Sequence, residues 1–273
     1  MAEAGYPVQA VSCRTRETAE RAAAFIGAGR AADSPEEAAA GAQAVLIATP
    51  DGAVRGVCER MAKAGAFLQG ATVLHFSGAL GSDALASASA AGARAGALHP
   101  MQSFPSPEQG YARLPGTVFT FEGEVGGEPT ARSIATDVGG EAIRIEASAK
   151  ALYHAACCAL SNYVAAAADL GFELMERAGV PRETSLRAAM PLLKGSVANI
   201  ERLGLPAALT GPIERGDAAT VERHLEALEG QPAPLGELYR CLGRHTLEMA
   251  KRKRPMDPDA LAKMEALLGG KGG

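Results

Sequence analysis

The stretch KALYHAACCALSN, Lys150 to Asn162, is small and apolar apart from a lysine, a histidine, a serine and an asparagine. At about 100° per helical residue, His154 falls about 40° and Ser161 about 20° from Lys150, with Asn162 about 120° away on the flank. An amine and an imidazole one helical turn apart can deliver a proton to a developing alkoxide. A hydroxyl or carboxamide on the same side can orient the acceptor. Lys150, His154 and Asn162 are therefore candidate catalytic residues, and Ser161 a candidate substrate ligand. A lysine in the first turn of a helix opposes the helix dipole, and an anionic substrate would offset that cost. Two cations one turn apart also depress each other's pKa, which favours a neutral His154 and a more acidic Lys150. The competing reading is structural: a lysine that snorkels from the helix start and a histidine packed in a core.

Further candidates sit where short apolar runs end. AVLIA (44–48) leads into Thr49, Pro50 and Asp51, and ATVLHFSG (71–78) ends in Ser77 and Gly78. AGALHP (95–100) brings His99 just ahead of Gln102 and Ser103. VQAVS (8–12) ends in Ser12, ahead of Cys13, Arg14 and Thr15. Open parallel sheets bind ligands beyond the carboxyl ends of their strands, so these groups line one edge. Each has a plainer reading too: Thr15 and Asp51 as helix caps, and His99 as a histidine satisfied by local backbone. Farther on, Thr210 and the amides after Gly211 in TGPIERGD can hold a carboxylate, with Asp217 capping the next helix. A simple helix connector explains that segment nearly as well.

The elements that must position these groups fall into two halves. Up to about residue 147, strand-like runs alternate with helical patterns, the mark of βαβ units and a parallel sheet. GTVFTFEG (116–123) and EAIRIEA (141–147) are the late strands. From Lys150 the period changes to that of a helix, with helices expected over 149–178, 182–203, 217–229, 234–250 and 257–268. Residues 1–147 then form an α/β domain and 148–273 a helical substrate-binding and dimerisation domain. KRKR (251–254) reads as the cationic last turn of a helix stopped by Pro255, and the GGKGG tail as disordered. A dinucleotide domain opens with a strand and a G-x-G-x-x-G turn. Nothing before residue 8 supplies that strand, MAEAGYP reads as the tail of a first helix, and GAGRAA (27–32) follows a helix rather than a strand. The pattern leads us to expect about 20 to 30 further residues upstream of Met1, carrying the strand and the glycine turn.

Composition narrows the partners. Across 273 residues, 47% are hydrophobic and 21% charged, ordinary values for a soluble globular chain, and the net charge of −4 gives no reason to expect nucleic acid or an anionic membrane. Five cysteines without a CxxC pair or zinc spacing point to reduced thiols in a cytoplasm and to no metal. No signal peptide is visible. The uncharged run 151–168 is long enough to raise the question of a membrane span. Its His, Ser, Asn and many alanines favour a buried helix of a soluble protein.

VLIATPDGAV, LHFSGALGSDAL, GALHPMQSF, KALYHAACCALSNY and LTGPIERGDAATVERHLEAL, in that order, resemble a bacterial family with a Rossmann-like domain and a C-terminal domain of unknown function (number 2520). More distantly the chain is similar to the phosphogluconate dehydrogenase-like superfamily, which includes ketopantoate reductase, pyrroline-carboxylate reductase and deazaflavin-dependent NADP reductases. The resemblance implies an α/β Rossmann-like parallel sheet domain, here lacking its first strand and glycine loop, followed by an all-α C-terminal domain. It also implies a homodimeric NAD(P)-dependent oxidoreductase. Within that superfamily a lysine and an asparagine one turn apart start this helix, and here His154 stands in the asparagine's place. Ser12, Arg14 and Thr15 fall where an acidic residue would bind the ribose of NAD. A hydroxyl and a guanidinium there suit the 2′-phosphate of NADP, with NAD the less favoured cofactor. Thr49, Pro50, Asp51, Ser77 and Gly78 then line the cofactor, and His99, Gln102, Ser161 and Thr210 the substrate. The implied reaction is reduction of a small oxo or imino acid, ketopantoate-like by analogy, in an interdomain cleft. The alternative is a nucleotide-sensing or scaffolding protein that keeps the fold without catalysis.

Overall fold

The structure is a computed structural model that describes residues Met1–Gly269. The chain divides into two compact units, the first Met1–Tyr163 and the second starting at Val164.

The first unit runs β1 (Ala10–Val11), α1 (Arg16–Ile26), β2 (Arg30–Ala31), α2 (Pro35–Ala39), β3 (Ala44–Ile47), α3 (Asp51–Lys63), β4 (Thr72–His75), α4 (Ala86–Ala90), β5 (Arg94–Pro100), α5 (Pro107–Ala112), β6 (Val118–Gly123), α6 (Glu128–Asp137), β7 (Glu141–Arg144) and α7 (Lys150–Leu160). β1 and β2 pair in parallel as a two-stranded sheet, and β3 to β7 form a five-stranded sheet in sequence order. The alternation of strand and helix follows the sequence pattern. Two short elements, β2 inside GAGRAA and α5, lie outside that pattern. Gly29, at φ 84°, lets β2 approach β1 closely, since a Cβ there would meet the Val8 carbonyl oxygen at 3.3 Å. The glycines of GAGRAA thus serve a turn and strand packing.

The expected parallel sheet needs one correction. β3–β4, β4–β5 and β6–β7 are parallel, but β5 and β6 pair antiparallel, His99 opposite Thr120 and Ala97 opposite Glu122. The connection that carries α5 returns the chain antiparallel beside the strand it has just left.

Alternation along the strands splits the core between two faces. Val73 and Ala95 pack with Val54, Cys58 and Met61 of α3, whereas Leu74, Leu98, Phe119 and Phe121 pack with Ala131 and Ile134 of α6. Met1 and Tyr6 lean on the second cluster, and Tyr6 donates to Asp137 at 2.5 Å. Residues 2–5 form turns there rather than the helix tail expected of MAEAGYP. Thr15 caps α1 by accepting from the Thr18 amide. Asp51 does not cap α3: Pro50 occupies the cap position, and the Asp51 carboxylate is taken by Ser77.

The second unit contains most of α8 (Asn162–Arg177), then α9 (Arg182–Leu203), α10 (Pro212–Arg215), α11 (Ala218–Leu228), α12 (Ala233–Lys253) and α13 (Pro258–Leu268). Val221, Leu225, Leu247, Met264 and Leu268 form its core. α12 ends in Lys251, Arg252 and Lys253, as the KRKR run implies. Apart from Gly269, the GGKGG tail lies outside the described residues. α7 and α8 form one helical run interrupted at Ser161 (φ −122°, ψ −75°), so the stripe projected from Lys150 ends there. The run is also not the buried helix expected: Leu152 is 78% exposed and Leu160 76%.

Phe121 is 1% exposed at the centre of the α6-side core. Phe121→Ala should cost roughly 3–5 kcal/mol of stability, read as an earlier urea midpoint with the slope unchanged. A loss below about 1 kcal/mol would mean the site collapses around the gap.

Candidate active site

Strand register gathers the chemistry on one face of the sheet. His75 is level with Ala97, Ala97 lies opposite Glu122, and His99 lies opposite Thr120. Because directly paired residues share a face, His75, His99, Thr120 and Glu122 project together, away from Leu74, Leu98, Phe119 and Phe121. His75 and Thr120 are fully buried and Glu122 nearly so. Lys150, at the start of α7, is 3% exposed.

Each buried polar group on this face has its own arrangement. His75 Nδ1 accepts from the Ser77 amide at 3.2 Å, which leaves Nε2–H to donate to the Gly81 carbonyl at 3.0 Å. Burial lowers the pKa of His75. Glu122 accepts from the Ser82 amide and hydroxyl, both at 2.7 Å. Ser77 Oγ donates to Asp51 at 2.8 Å and accepts from the Ala79 and Leu80 amides. The loop 77–82 is thereby fixed to β4, to β6 and to the start of α3.

Lys150 is the exception. Its Nζ is buried without a hydrogen-bond partner, as are the hydroxyls of Thr120 and Thr49. Burial lowers the Lys150 pKa, with Glu122 and Asp51 pulling the other way. The depressed pKa expected from the sequence thus arises from desolvation rather than from His154.

His99 receives Tyr153 of α7, with His99 Nδ1 2.7 Å from the hydroxyl oxygen and the rings edge to face. Burial, followed by the charges of Lys150 and His154, pushes its pKa down to about 4. His154 approaches the same ring, centroids 6.2 Å apart. Both imidazoles rest on Gly78, where a Cβ would lie 2.6 Å from His154 Cδ2 and 2.8 Å from His99 Nε2. A side chain at position 78 would displace both rings. Lys150, Tyr153, His154, His99, Ser77, Gly78 and Asp51 therefore belong to one constellation within the first unit.

The other sequence candidates have their own surroundings. Ser161 and Asn162 lie exposed at the break between α7 and α8. Gln102 is exposed, and its side-chain oxygen accepts from the Ser103 amide. Ser12, Arg14 and Thr15 follow β1. Arg16 is paired with Glu20 and Asp33, whereas the exposed Arg14 enters no ion pair among the described residues. Thr210, in the second unit, is exposed ahead of Gly211 (φ 107°) and the single turn of α10, while Asp217 caps α11 as expected. Sequence reasoning passed over His75, Glu122 and Tyr153. The signal for Glu122 was present in FTFEG, whose alternation puts Thr120 and Glu122 on the face opposite two phenylalanines.

Comparison with known proteins agrees with this architecture. Residues 1–100 match the Rossmann-like domain, and residues 117–246 match the domain of unknown function (DUF2520). The chain thus carries a Rossmann-like domain followed by a DUF2520 domain. Protein TM1727 from Thermotoga maritima is 27% identical, with 89% of this chain and 91% of that chain covered at a TM-score of 0.67. BF3122 from Bacteroides fragilis, a proposed NADP oxidoreductase, is 20% identical over 90% of each chain at a TM-score of 0.70. An imine reductase from a Pseudomonas species is 19% identical over 96% of this chain and 92% of that chain, at 0.59. No curated protein matches the chain.

The unpartnered Lys150 has a consequence for stability. Its folded pKa lies below the unfolded value of about 10.4, so the unfolded chain holds that proton more tightly and stability rises as pH climbs towards that value. Lys150→Met keeps the stem and should stabilise the protein at pH 7 by about 1–3 kcal/mol, the cost of a buried unsatisfied group. The gain should shrink at alkaline pH. Urea midpoints of both proteins at neutral and alkaline pH decide it, and a less stable variant would mean that Lys150 holds the fold together.

Proposed function

We propose that the protein is an NADP-dependent reductase of a small oxo or imino acid, working where Lys150 and the two imidazoles meet at the carboxyl edge of the sheet. The observation that carries this reading is the buried, unpartnered Lys150 amine beside His99 and His154. A fold retains an orphaned buried amine at a cost of kilocalories, and perturbed ionisable groups of this kind cluster at sites of chemistry. The names of BF3122 and of the imine reductase, both alike in fold, support reduction as the reaction class. A ketopantoate-like 2-oxo acid is the substrate we favour, by superfamily analogy.

Arg14 fits the cofactor: an exposed guanidinium outside any ion pair, beside the capped start of α1, suits a 2′-phosphate. Ser12 and Thr15 would flank it, with Thr49, Pro50, Asp51, Ser77 and Gly78 lining the strand ends nearer the reacting centre. NADPH, when bound, supplies the hydride. Lys150 and His154 act as one proton-delivery unit to the substrate oxygen, and burial makes the Lys150 ammonium a readier acid near neutral pH. Ser161, Asn162 and Thr210 are the remaining candidates for holding the substrate.

The test pairs cofactor titration with turnover. Arg14→Ala should weaken NADPH binding by roughly 1.5–3 kcal/mol while barely touching NADH. Equal losses would make Arg14 structural. Lys150→Met should fold and bind NADPH but lower turnover of 2-oxo acids or cyclic imines by roughly 10²-fold. Undiminished turnover per folded molecule would remove Lys150 from the mechanism.

The same reading takes the protein to be a homodimer. Leu152, Leu160, Tyr163, Leu186 and Leu192 are exposed on α7, α8 and α9, and only 11% of the most apolar stretch of the 147–177 run is buried. Exposed apolar side chains of this kind call for a cover. Sedimentation should give twice the 27.9 kDa chain mass, and Leu192→Glu should shift it towards monomer. A wild-type chain that stays monomeric at micromolar concentration contradicts this assignment.

A further inference from the structure

We propose that His99 is a further catalytic residue of this site, donating a hydrogen bond from Nε2 to the substrate carbonyl oxygen, and that Tyr153 is the positioning residue that fixes its tautomer. This rests on the reductase reading above and adds to it the group that polarises the carbonyl before the proton arrives.

The argument starts from the Tyr153 hydroxyl. Burial pushes its pKa up to about 12, so at neutral pH it carries its proton. The phenol oxygen lies 2.7 Å from His99 Nδ1, with Thr120 and Cys157 also bearing on the hydroxyl. A buried phenol donates where it can, so the proton points at Nδ1 and the single proton of the neutral imidazole must sit on Nε2. The groups facing the ring are Lys150, Tyr153 and His154 from α7 and Asp51 from α3. Two of these are basic and oppose a charged ring; Asp51 favours one, and burial outweighs it. His99 is thus a hydrogen-bond donor that does not give up its proton at neutral pH.

Its free nitrogen is in the right place. Nε2 has no hydrogen-bond partner among the described residues, yet unlike Lys150 Nζ it is not sealed from solvent. It lies over Gly78, at the carboxyl edge where the parallel strands end, beside His154. A neutral imidazole N–H held in place polarises a carbonyl without reorganising as charge develops there. A histidine buried only for packing would have both nitrogens satisfied by protein groups, as His75 does through Ser77 and Gly81. His99 has one nitrogen committed and one presented.

The test is nitrogen-15 NMR of the full chain labelled at its five histidines, with His99 assigned by the signal lost in His99→Gln. The expected spectrum has Nε2 protonated and Nδ1 bare at pH 7, and it holds down to about pH 5, below the ordinary histidine value of about 6.5. In Tyr153→Phe the two tautomers should mix and titration should move up. An Nδ1–H tautomer in the unaltered protein, or titration at the ordinary value, overturns the assignment. With NADP saturating, pyruvate as a carbonyl probe should shift the His99 Nε2 signal, and Tyr153→Phe should weaken that response roughly 10-fold or more. No response to pyruvate, or an unchanged one in the variant, also overturns it. NADPH binding is measured separately. Binding with the wrong tautomer overturns the role of His99 alone, whereas the right tautomer without NADPH binding overturns the reductase reading and the catalytic role with it.

Discussion

Burying ionisable groups on one face of a sheet is the constraint from which the rest of the first unit follows. His75, His99, Thr120 and Glu122 share the face covered by α7. Each would cost kilocalories if left unpaired. The protein meets this locally for His75 and Glu122, while the Thr120 hydroxyl stays unpartnered. Ser77 ties the His75 backbone loop to Asp51, and Ser82 gives both its donors to Glu122. These bonds in turn fix the path of residues 77–82, so that Gly78 presents a bare α-carbon to the two imidazoles. A loop that would otherwise be mobile becomes the floor of a site because the sheet beneath it is polar.

Within that satisfied frame Lys150 and the outer nitrogen of His99 stand apart. One is a buried amine without a partner, the other an accessible N–H. The two contrast with His75 and Glu122, whose polar atoms are paired within the protein. Glu122 and Asp51 draw the Lys150 pKa up against the effect of burial, and neither is hydrogen-bonded to its amine.

Much of this was legible from residue types and spacing. The helices of the second half follow the sequence boundaries closely, because apolar periodicity and caps such as Asp217 act locally. Most strands, Lys150, His99 and Gly78 were legible because they end or begin elements, and His154 because it follows Lys150 by one helical turn. What was hidden depends on contacts between distant segments. Tyr153 is unremarkable in its helix until β5 brings His99 to it across 54 positions of sequence. Projection past Ser161 assumed an unbroken helix, and nothing in CCALSNY announces the break. The exposure of α7 and α8 was equally unreadable, since an alanine-rich apolar helix looks the same whether its cover comes from its own chain or from another.

The reversal of β6 connects these points. Had β6 entered parallel to β5, its register would not have set Thr120 opposite His99 and Glu122 opposite Ala97, beside His75. The antiparallel return after α5 brings the middle of β6 to the carboxyl edge of β4 and β5. The acid that faces Lys150 and holds Ser82 is therefore supplied by a departure from the parallel pattern. The local rule that failed in predicting the sheet is the one whose failure places a carboxylate in the site, as expected where function rather than regularity sets the geometry.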